Sequence, residues 1–393
     1  MFRPRLAILA VLATGVSVAM SLSGAVSAQS TAQNAAQGEV TRQTRLETFV
    51  DTAHASSDAT AVSAAMFDGE TLLRQATGQV ERRGPAADET TRFLSASVGK
   101  TVTALIAAQL VNEGVLDLDA PVSPWLSDVP VWREVAQADQ ITLRHLLNHS
   151  AGIPDYLENW RFHTARGGRR EQGFQPAELI DYITGTEAQG VPGAHYAYSD
   201  THYIVVGLVL EAATGETYAD LVRTRVIEPV GMADTESLIG RTYDRLAVGY
   251  DRGTFGARAT GEPGELNANL AWEWAGGGLV TTPADLARLY HALGSEQFAA
   301  ERALMIAEPN MLNAELRIGY GLGVFVRIYE DEAYRLFHGG DFAGHRSAAI
   351  YDSRTGLALA VQGNHKRLEA PDLLLEFNED LVRAQTASDG PSE

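Results

Sequence analysis

The stretch Phe93-Leu-Ser-Ala-Ser-Val-Gly-Lys-Thr101, with the apolar helix it opens, restricts the fold more than any other part of the chain. Val98, Val102, Leu105, Ile106 and Leu110 recur at helical spacing. Thr and Ala fill the other faces, and Gly114 ends the run. A helix with so little charge needs protein on most sides. The rest of the chain must therefore wrap around it. Ser97 opens this helix, and Lys100 lies one turn later on the same face. The chain has only two lysines, Lys100 and Lys366. A lysine at position 100 is thus a poor candidate for a random surface charge.

That spacing brings the Lys100 amine within reach of the Ser97 hydroxyl. The first helical turn adds free backbone N–H groups and a positive end, which favour a developing anion. Serine, amine and free N–H groups are the parts of a nucleophilic acyl-transfer site. Other readings compete. Gly99-Lys100-Thr101 imitates the end of a phosphate loop, but the earlier glycine that loop requires falls at Leu94. Ser95-Ala-Ser-Val-Gly99 imitates a nucleophile elbow with serine replacing the first glycine. The plainest alternative is a helix-capping serine beside a surface lysine.

A net charge of −19 repels nucleic acid and anionic lipid, and otherwise means solubility. The chain has no cysteine, so disulfides, thiolate metal sites and a cysteine nucleophile are excluded. Residues 1–28 read as a signal peptide: Arg3 and Arg5, an apolar core from Leu6 to about Val18, and small residues at Val26-Ser-Ala28. The expectation is export to a periplasm or the outside, with no membrane span after cleavage. Residues 29–44 read as a flexible leader and 385–393 as a polar tail.

Between them, 45–384 read as one α+β domain. A short helix is expected around Leu46–Ala53, then a hairpin of Ala61–Phe67 and Thr71–Ala76 turning at Asp68-Gly69. Helices are expected over Leu143–Asn148, Pro176–Ile183, Thr201–Ala213 and Tyr218–Val226. Another opens at Thr282-Pro283-Ala-Asp285 and runs to Leu293. Gly319–Ile328, Ala333–Phe337, Arg346–Tyr351 and Leu357–Gln362 read as strands, and Pro371–Ala384 as a last helix. The two early strands and three or four late ones predict one antiparallel sheet flanked by the N- and C-terminal helices. An α/β lobe would comprise about 45–100 and 276–384, with a mostly helical lobe of about 101–275 inserted beside it. The cleft between them is the expected place for a site.

Three short motifs then fall in order. Ser97-Val-Gly-Lys100 resembles a serine–x–x–lysine motif. Tyr198-Ser-Asp200 resembles one that is usually tyrosine–x–asparagine. His338-Gly-Gly340 occupies a strand where lysine–threonine–glycine is common. Ile141-Thr-Leu-Arg-His-Leu-Leu-Asn-His-Ser-Ala-Gly-Ile153, Glu228-Pro-Val-Gly-Met-Ala-Asp-Thr235 and Ala275-Gly-Gly-Gly-Leu-Val-Thr-Thr-Pro-Ala-Asp-Leu286 surround them. Together, over about 45–384, they resemble the serine β-lactamase and penicillin-binding-protein superfamily. The nearest branch is that of class C β-lactamases, D-alanyl-D-alanine carboxypeptidases, D-aminopeptidases and esterases.

The resemblance implies a β-lactamase-like fold and a cofactor-free serine hydrolase. Ser97 would be the nucleophile, Lys100 and Tyr198 proton carriers, and the N–H groups of Ser97 and Asp341 an oxyanion hole. Asp200, His338, Gly339 and Gly340 would meet the substrate: a small ester, an amide or a short D-amino-acid peptide. For Lys100 to act as a base, burial and a nearby positive group must depress it, and neighbouring positive charge should depress Tyr198. Ionised Asp200 offers only acceptors and would pair with Lys100 or a substrate amine. It would raise the lysine's pKa and oppose a neutral-lysine mechanism. His338 is a donor or a cation according to pH, without the constant charge that holds a β-lactam carboxylate. Both departures point toward an esterase or amine-directed peptidase. The competing readings are a D-amino-acid peptidase or carboxypeptidase, a weak β-lactamase, and a penicillin-binding sensor or scaffold without turnover.

Other features read more plainly. His145 and His149 lack the glutamate of a zinc-protease helix. Gly276-Gly-Gly278 reads as a tight turn. Arg161, Arg166, Arg169 and Arg170 form a solvated rim or select an anionic substrate. Trp160, Trp272 and Trp274 line the cleft or pack in the core.

Overall fold

The computed structural model describes residues 37–251 and 261–388. The signal peptide over 1–28, the leader up to residue 36 and the end of the tail, 389–393, lie outside the described residues. The chain divides into two units, Met1–Arg45 and Leu46–Glu393. In the first, 37–45 is helical, so the flexible leader expected over 29–44 is helix from residue 37. The Thr41 and Thr44 hydroxyls donate back to the Gln37 and Val40 carbonyls, at 2.9 and 3.0 Å. Hydroxyls satisfied in this way fit within a helix.

The second unit opens with α1 over 46–55. The strands are β1 (Ala61–Phe67), β2 (Leu72–Gly78), β3 (Phe93–Leu94), β4 (Glu236–Ser237), β5 (Leu279–Thr281), β6 (Asn310–Asn313), β7 (Ile318–Tyr320), β8 (Phe325–Ile328), β9 (Tyr334–Phe342), β10 (His345–Asp352) and β11 (Leu357–Gly363). The helices after α1 are α2 (Lys100–Asn112), α3 (Leu143–Leu147), α4 (Trp160–Gly168), α5 (Pro176–Ile180), α6 (Asp200–Thr214), α7 (Tyr218–Val222), α8 (Glu228–Val230), α9 (Pro283–Gly294), α10 (Ala299–Ile306) and α11 (Ala370–Ser388).

An eight-stranded sheet runs in the order β2-β1-β11-β10-β9-β8-β7-β6, antiparallel throughout. Its period-2 alternation sorts side chains by size. Val62, Met66, Ile350, Leu359 and Val361 face α1 and α11, where Phe49 and Phe377 stack with ring centroids 4.4 Å apart. Ala65, Ala349, Ala358 and Ala360 face the opposite way, and their small size lets α9 lie close to the sheet. Thr282 caps α9 by accepting from Asp285 N–H at 3.3 Å, with Pro283 in the first turn.

The sheet is larger than expected. Gly319–Ile328 is two strands, because Gly321 N–H donates to Val324 C=O at 2.9 Å and Gly323 turns the chain at φ +69°. A second sheet, β3-β5-β4, was not anticipated. Strands of two or three residues carry no readable alternation. The last helix continues through Gln385 to Ser388, so the tail starts later than expected.

Ten of the thirteen residues of α2 are buried, as its lack of polar faces requires. Its threonines are satisfied: Thr101 donates to Gly323 C=O at 2.8 Å and Thr103 to Ala275 C=O at 2.7 Å. The apolar α6 packs beside it and ends at Gly215 in the left-handed region, φ +73°.

Candidate active site

A four-residue 3₁₀ turn, Ala96–Gly99, carries Ser97 from β3 into α2. Ala96 has φ +50°, a costly conformation for a residue with a side chain. It leaves Ser97 half-buried, while every other residue of Phe93–Thr101 is buried. Two close approaches hold the turn. Gly99 lies against Gly277, where an added β-carbon would be 2.8 Å from the Gly277 Cα. At Gly340 an added β-carbon would be 2.7 Å from the Ser95 carbonyl. The Ser95 hydroxyl donates to Gly277 C=O at 2.7 Å, and the Ser347 hydroxyl donates to Ser95 C=O. The glycines are thus where backbone crosses backbone.

Lys100 is completely buried and its ammonium has three acceptors. It donates to Ser97 Oγ at 3.2 Å, to Gly276 C=O at 2.6 Å and to Asp200 Oδ1. Asp200 is the first residue of α6, whose N-terminus is fixed by the preceding loop. Asp155 Oδ2 accepts from Asp200 N–H at 2.9 Å, and Thr201 Oγ1 accepts from Tyr156 N–H at 2.9 Å. Two residues before Asp200, Tyr198 comes to the same place, and its phenol interacts electrostatically with Lys100 and Asp200. The Lys100 Nζ lies 5.2 Å from the Tyr198 ring centroid. The structure therefore brings Ser97, Lys100, Tyr198 and Asp200 together. Strand β9 packs on the turn that carries Ser97, and α6 packs beside α2.

The Beta-lactamase family model matches residues 44–382. The chain belongs to the beta-lactamase family. Over 310 residues it is 26% identical to Penicillin-binding protein 4* of Bacillus subtilis strain 168, covering 75% of this chain and 65% of that protein. Over 199 residues it is 33% identical to Esterase EstB of Burkholderia gladioli, covering 49% and 50%. Over 302 residues it is 28% identical to the D-aminopeptidase of Brucella anthropi, covering 72% and 52%. The chain thus spans about half to two thirds of these relatives' lengths. Among solved structures, a D-stereospecific amidohydrolase from Streptomyces sp. superposes with a TM-score of 0.71 at 26% identity, covering 85% of this chain and 97% of that one. The D-amino acid amidase from Ochrobactrum anthropi SV3 gives 0.71 at 24% identity, covering 88% and 99%, a likeness of fold.

Within this beta-lactamase frame, several sequence expectations need correction. No positive neighbour depresses Lys100. Burial alone pushes its ammonium down, but Asp200, with Tyr198 and Glu273 behind it, outweighs burial and holds it well above the ordinary lysine value. Lys100 is a cation paired with Asp200. Nor is the Tyr198 phenol depressed. Burial pushes it up to about 12, although Lys100 pulls the other way. His338 is buried, not a cation facing solvent, and burial brings it down to about 3. Its Nε2 lies 3.1 Å from Tyr320 Oη and its Nδ1 2.6 Å from Gly339 C=O. Gly339 does not clear room for substrate, because an added β-carbon would meet Pro371 Cγ at 2.6 Å. The Asp341 side chain is exposed and turns to Arg346 at 3.5 Å.

The outer features also resolve. Trp272 is core, edge-on to Tyr156, Phe162 and Phe342, and Trp274 packs on Tyr218. Trp160 is 73% exposed. Arg169 pairs with Glu178 at 3.0 Å, and Arg161 lies over Tyr182. His145 closes a capping box with Thr142. Among the described residues no group of His, Asp and Glu is placed to hold a metal ion, and no helix is long and apolar enough to cross a membrane.

Sequence reasoning missed Asp155 and Glu273. Neither belongs to a motif, and only the fold brings them to Lys100. Burial first, and Asp200 second, push Asp155 up to about 7 and Glu273 up to about 8. The buried His149, His202, His338 and His345 are all depressed, first of all by burial. These two sets give opposite pH slopes. A depressed histidine is short of a proton relative to the unfolded chain at pH below about 6.5, so stability rises with pH there. A raised carboxyl keeps an extra proton from about pH 4 upward, so stability falls as pH climbs through its folded value. The thermal midpoint should therefore peak near pH 6.5. Glu273→Gln should flatten the decline up to pH 8, which is at most about 1.4 kcal/mol per pH unit for one proton. Scanning calorimetry from pH 4 to 9 checks this. A wild-type midpoint that keeps rising beyond pH 7 would contradict it.

Proposed function

We propose that this chain is an exported serine hydrolase that cleaves an ester or amide bond through an acyl-enzyme on Ser97. One observation carries the reading: the Lys100 ammonium lies 3.2 Å from the Ser97 hydroxyl and 5.2 Å from the Tyr198 ring centroid. Because Lys100 is already protonated, it accepts the Ser97 proton only while passing one of its own to Asp200. The Ser97 oxygen bonds to the carbonyl carbon, and the N–H groups of Ser97 and Asp341 receive the oxyanion. As the bond to the leaving group breaks, Tyr198 supplies that group's proton, and the Lys100 charge stabilises the phenolate left behind. Water then attacks the acyl group and gives a proton to Tyr198. Asp200 returns its proton through Lys100 to Ser97. The cycle balances without a cofactor.

The substrate class follows from charge. Neutral His338 offers no cation to a β-lactam carboxylate, which favours esters and amides. A second reading, a D-amino-acid amide or peptide, is favoured by Asp155, Asp200 and Glu273, which all act on Lys100. Asp200 neutralises Lys100, so the surplus that suits a substrate ammonium is the charge of Asp155 and Glu273, which develops above about pH 7 and 8. D-aminopeptidase and D-stereospecific amidohydrolase relatives support it, as Esterase EstB supports the first. Export rests on the sequence of residues 1–28.

The test is a panel of p-nitrophenyl acetate, D-phenylalanine p-nitroanilide and a chromogenic cephalosporin, with intact-mass detection of acylation. Turnover of the ester or anilide and little of the cephalosporin is expected. An acyl adduct without turnover would make the chain a sensor. No adduct with any of the three would sink the reading.

A further inference from the structure

Tyr198 sits on a short connection between a turn and α6, yet its hydroxyl must meet Ser97 and Lys100. Nothing in its own sequence neighbourhood explains how a ring with 36% of its surface exposed keeps one orientation. The explanation lies about fifty residues earlier. His149 is completely buried and follows α3 with φ +58°, a left-handed conformation for a residue with a side chain. From that position it touches the Tyr198 segment in three ways. Its carbonyl accepts from Ala197 N–H at 2.7 Å. Its Nδ1 accepts from Ser199 N–H at 3.3 Å. Its ring lies under the Tyr198 ring, with centroids 4.1 Å apart and planes tilted by 36°. The residues on both sides of Tyr198 and the phenol face itself are thus held by one side chain and one carbonyl. His149 is in turn fixed by His202, with the two Nδ1 atoms 3.1 Å apart, and by Tyr320 at 4.9 Å.

We propose that His149 is the positioning residue for Tyr198, setting the direction of the phenol toward Ser97 and Lys100. This rests on the acyl-enzyme reading above. A neutral ring is required, since only an unprotonated Nδ1 accepts from Ser199. Burial keeps it neutral. His202 and His338 face it and are also held neutral by burial, so Lys100 is the one cation near it.

His149→Ala removes the acceptor and the ring. It should lower kcat by about 10²-fold, the scale of a reacting group misplaced by about 1 Å, and leave KM within about threefold. His149→Asn keeps an acceptor near Nδ1 and tolerates the left-handed backbone, so it should recover part of the loss. In a Tyr198→Phe background, His149→Ala should reduce kcat no further. An unchanged kcat, a loss confined to KM, or an undiminished second loss on top of Tyr198→Phe would overturn the proposal. If both substitutions prevent folding, ¹⁵N-histidine NMR on the unsubstituted protein decides. A hydrogen-bonded, unprotonated Nδ1 whose shift moves when a p-nitrophenyl alkylphosphonate labels Ser97 is expected. A ring protonated at Nδ1, or one insensitive to the label, overturns it. If Ser97→Ala keeps its activity, the acyl-enzyme reading fails instead.

Discussion

Ser97→Ala is expected to lower kcat on p-nitrophenyl acetate by roughly 10⁴-fold or more, the scale seen when an acyl-enzyme nucleophile is removed. The fold should survive. The Ser97 side chain is half-buried, and the change trims one oxygen without opening a core cavity. Lys100 keeps Gly276 C=O and Asp200 as acceptors, so its charge stays compensated. The measurement is steady-state hydrolysis beside a thermal melt and intact mass after incubation with ester. Near-wild-type turnover, or an adduct still forming at the same site, would remove the basis of the mechanism.

Asp200→Asn is expected to act on stability and rate together. Lys100 is fully buried and Asp200 is the largest influence raising its pKa. Removing one partner of a buried pair leaves an uncompensated charge and costs about 3–5 kcal/mol. Lys100 can escape by losing its proton, because burial then dominates and its pKa falls. The sign follows. A lysine depressed in the folded state is short of a proton relative to the unfolded chain until about pH 10.5, so the mutant should regain stability as pH rises. Without Asp200 the Ser97 proton has no second acceptor behind Lys100, and kcat at pH 7 should fall roughly 10²-fold, the lower range for general acid–base participation. An acidic limb should appear in the pH–rate profile as a neutral Lys100 becomes necessary. Melts and rates between pH 6 and 9 check both. A mutant matching wild type in stability and kcat would show that the pair is not the charge-compensating element argued here.

The chain's own residues announce some of this site and hide the rest. Ser97, Lys100 and Asp200 were legible because each occupies a short, spaced pattern, and the helices carrying them have clean stops at Gly114 and Gly215. That Asp200 would raise Lys100 was legible, but not that it outweighs burial, because the balance also draws on Tyr198 and Glu273. The protonation state of His338 was left open, because alternation along β9 says which face a residue takes, but not that Tyr320 and Phe325 cover that face. Gly339 and Gly340 look alike in sequence, yet one faces α11 and the other the backbone before Ser97. Helices of a dozen residues were found within a few positions of their ends. Strands β3, β4 and β5 were missed, since two or three residues leave no period to read.

The register of the large sheet fixes when the site can exist. β1 pairs with β11, and Asn364 Oδ1 accepts from Ala61 N–H across 303 positions at 2.8 Å. Strand β11 also lies between β1 and β10, whose other neighbour β9 crosses beneath Ser97. A ribosome that has released every residue from Ser97 to Asp341 has therefore released all the reacting groups without β11, the strand that joins the first hairpin to β10. Closing so wide a loop comes late and slowly. The nascent protein should stay inert, and open to proteases, until β11, Leu357–Gly363, is free.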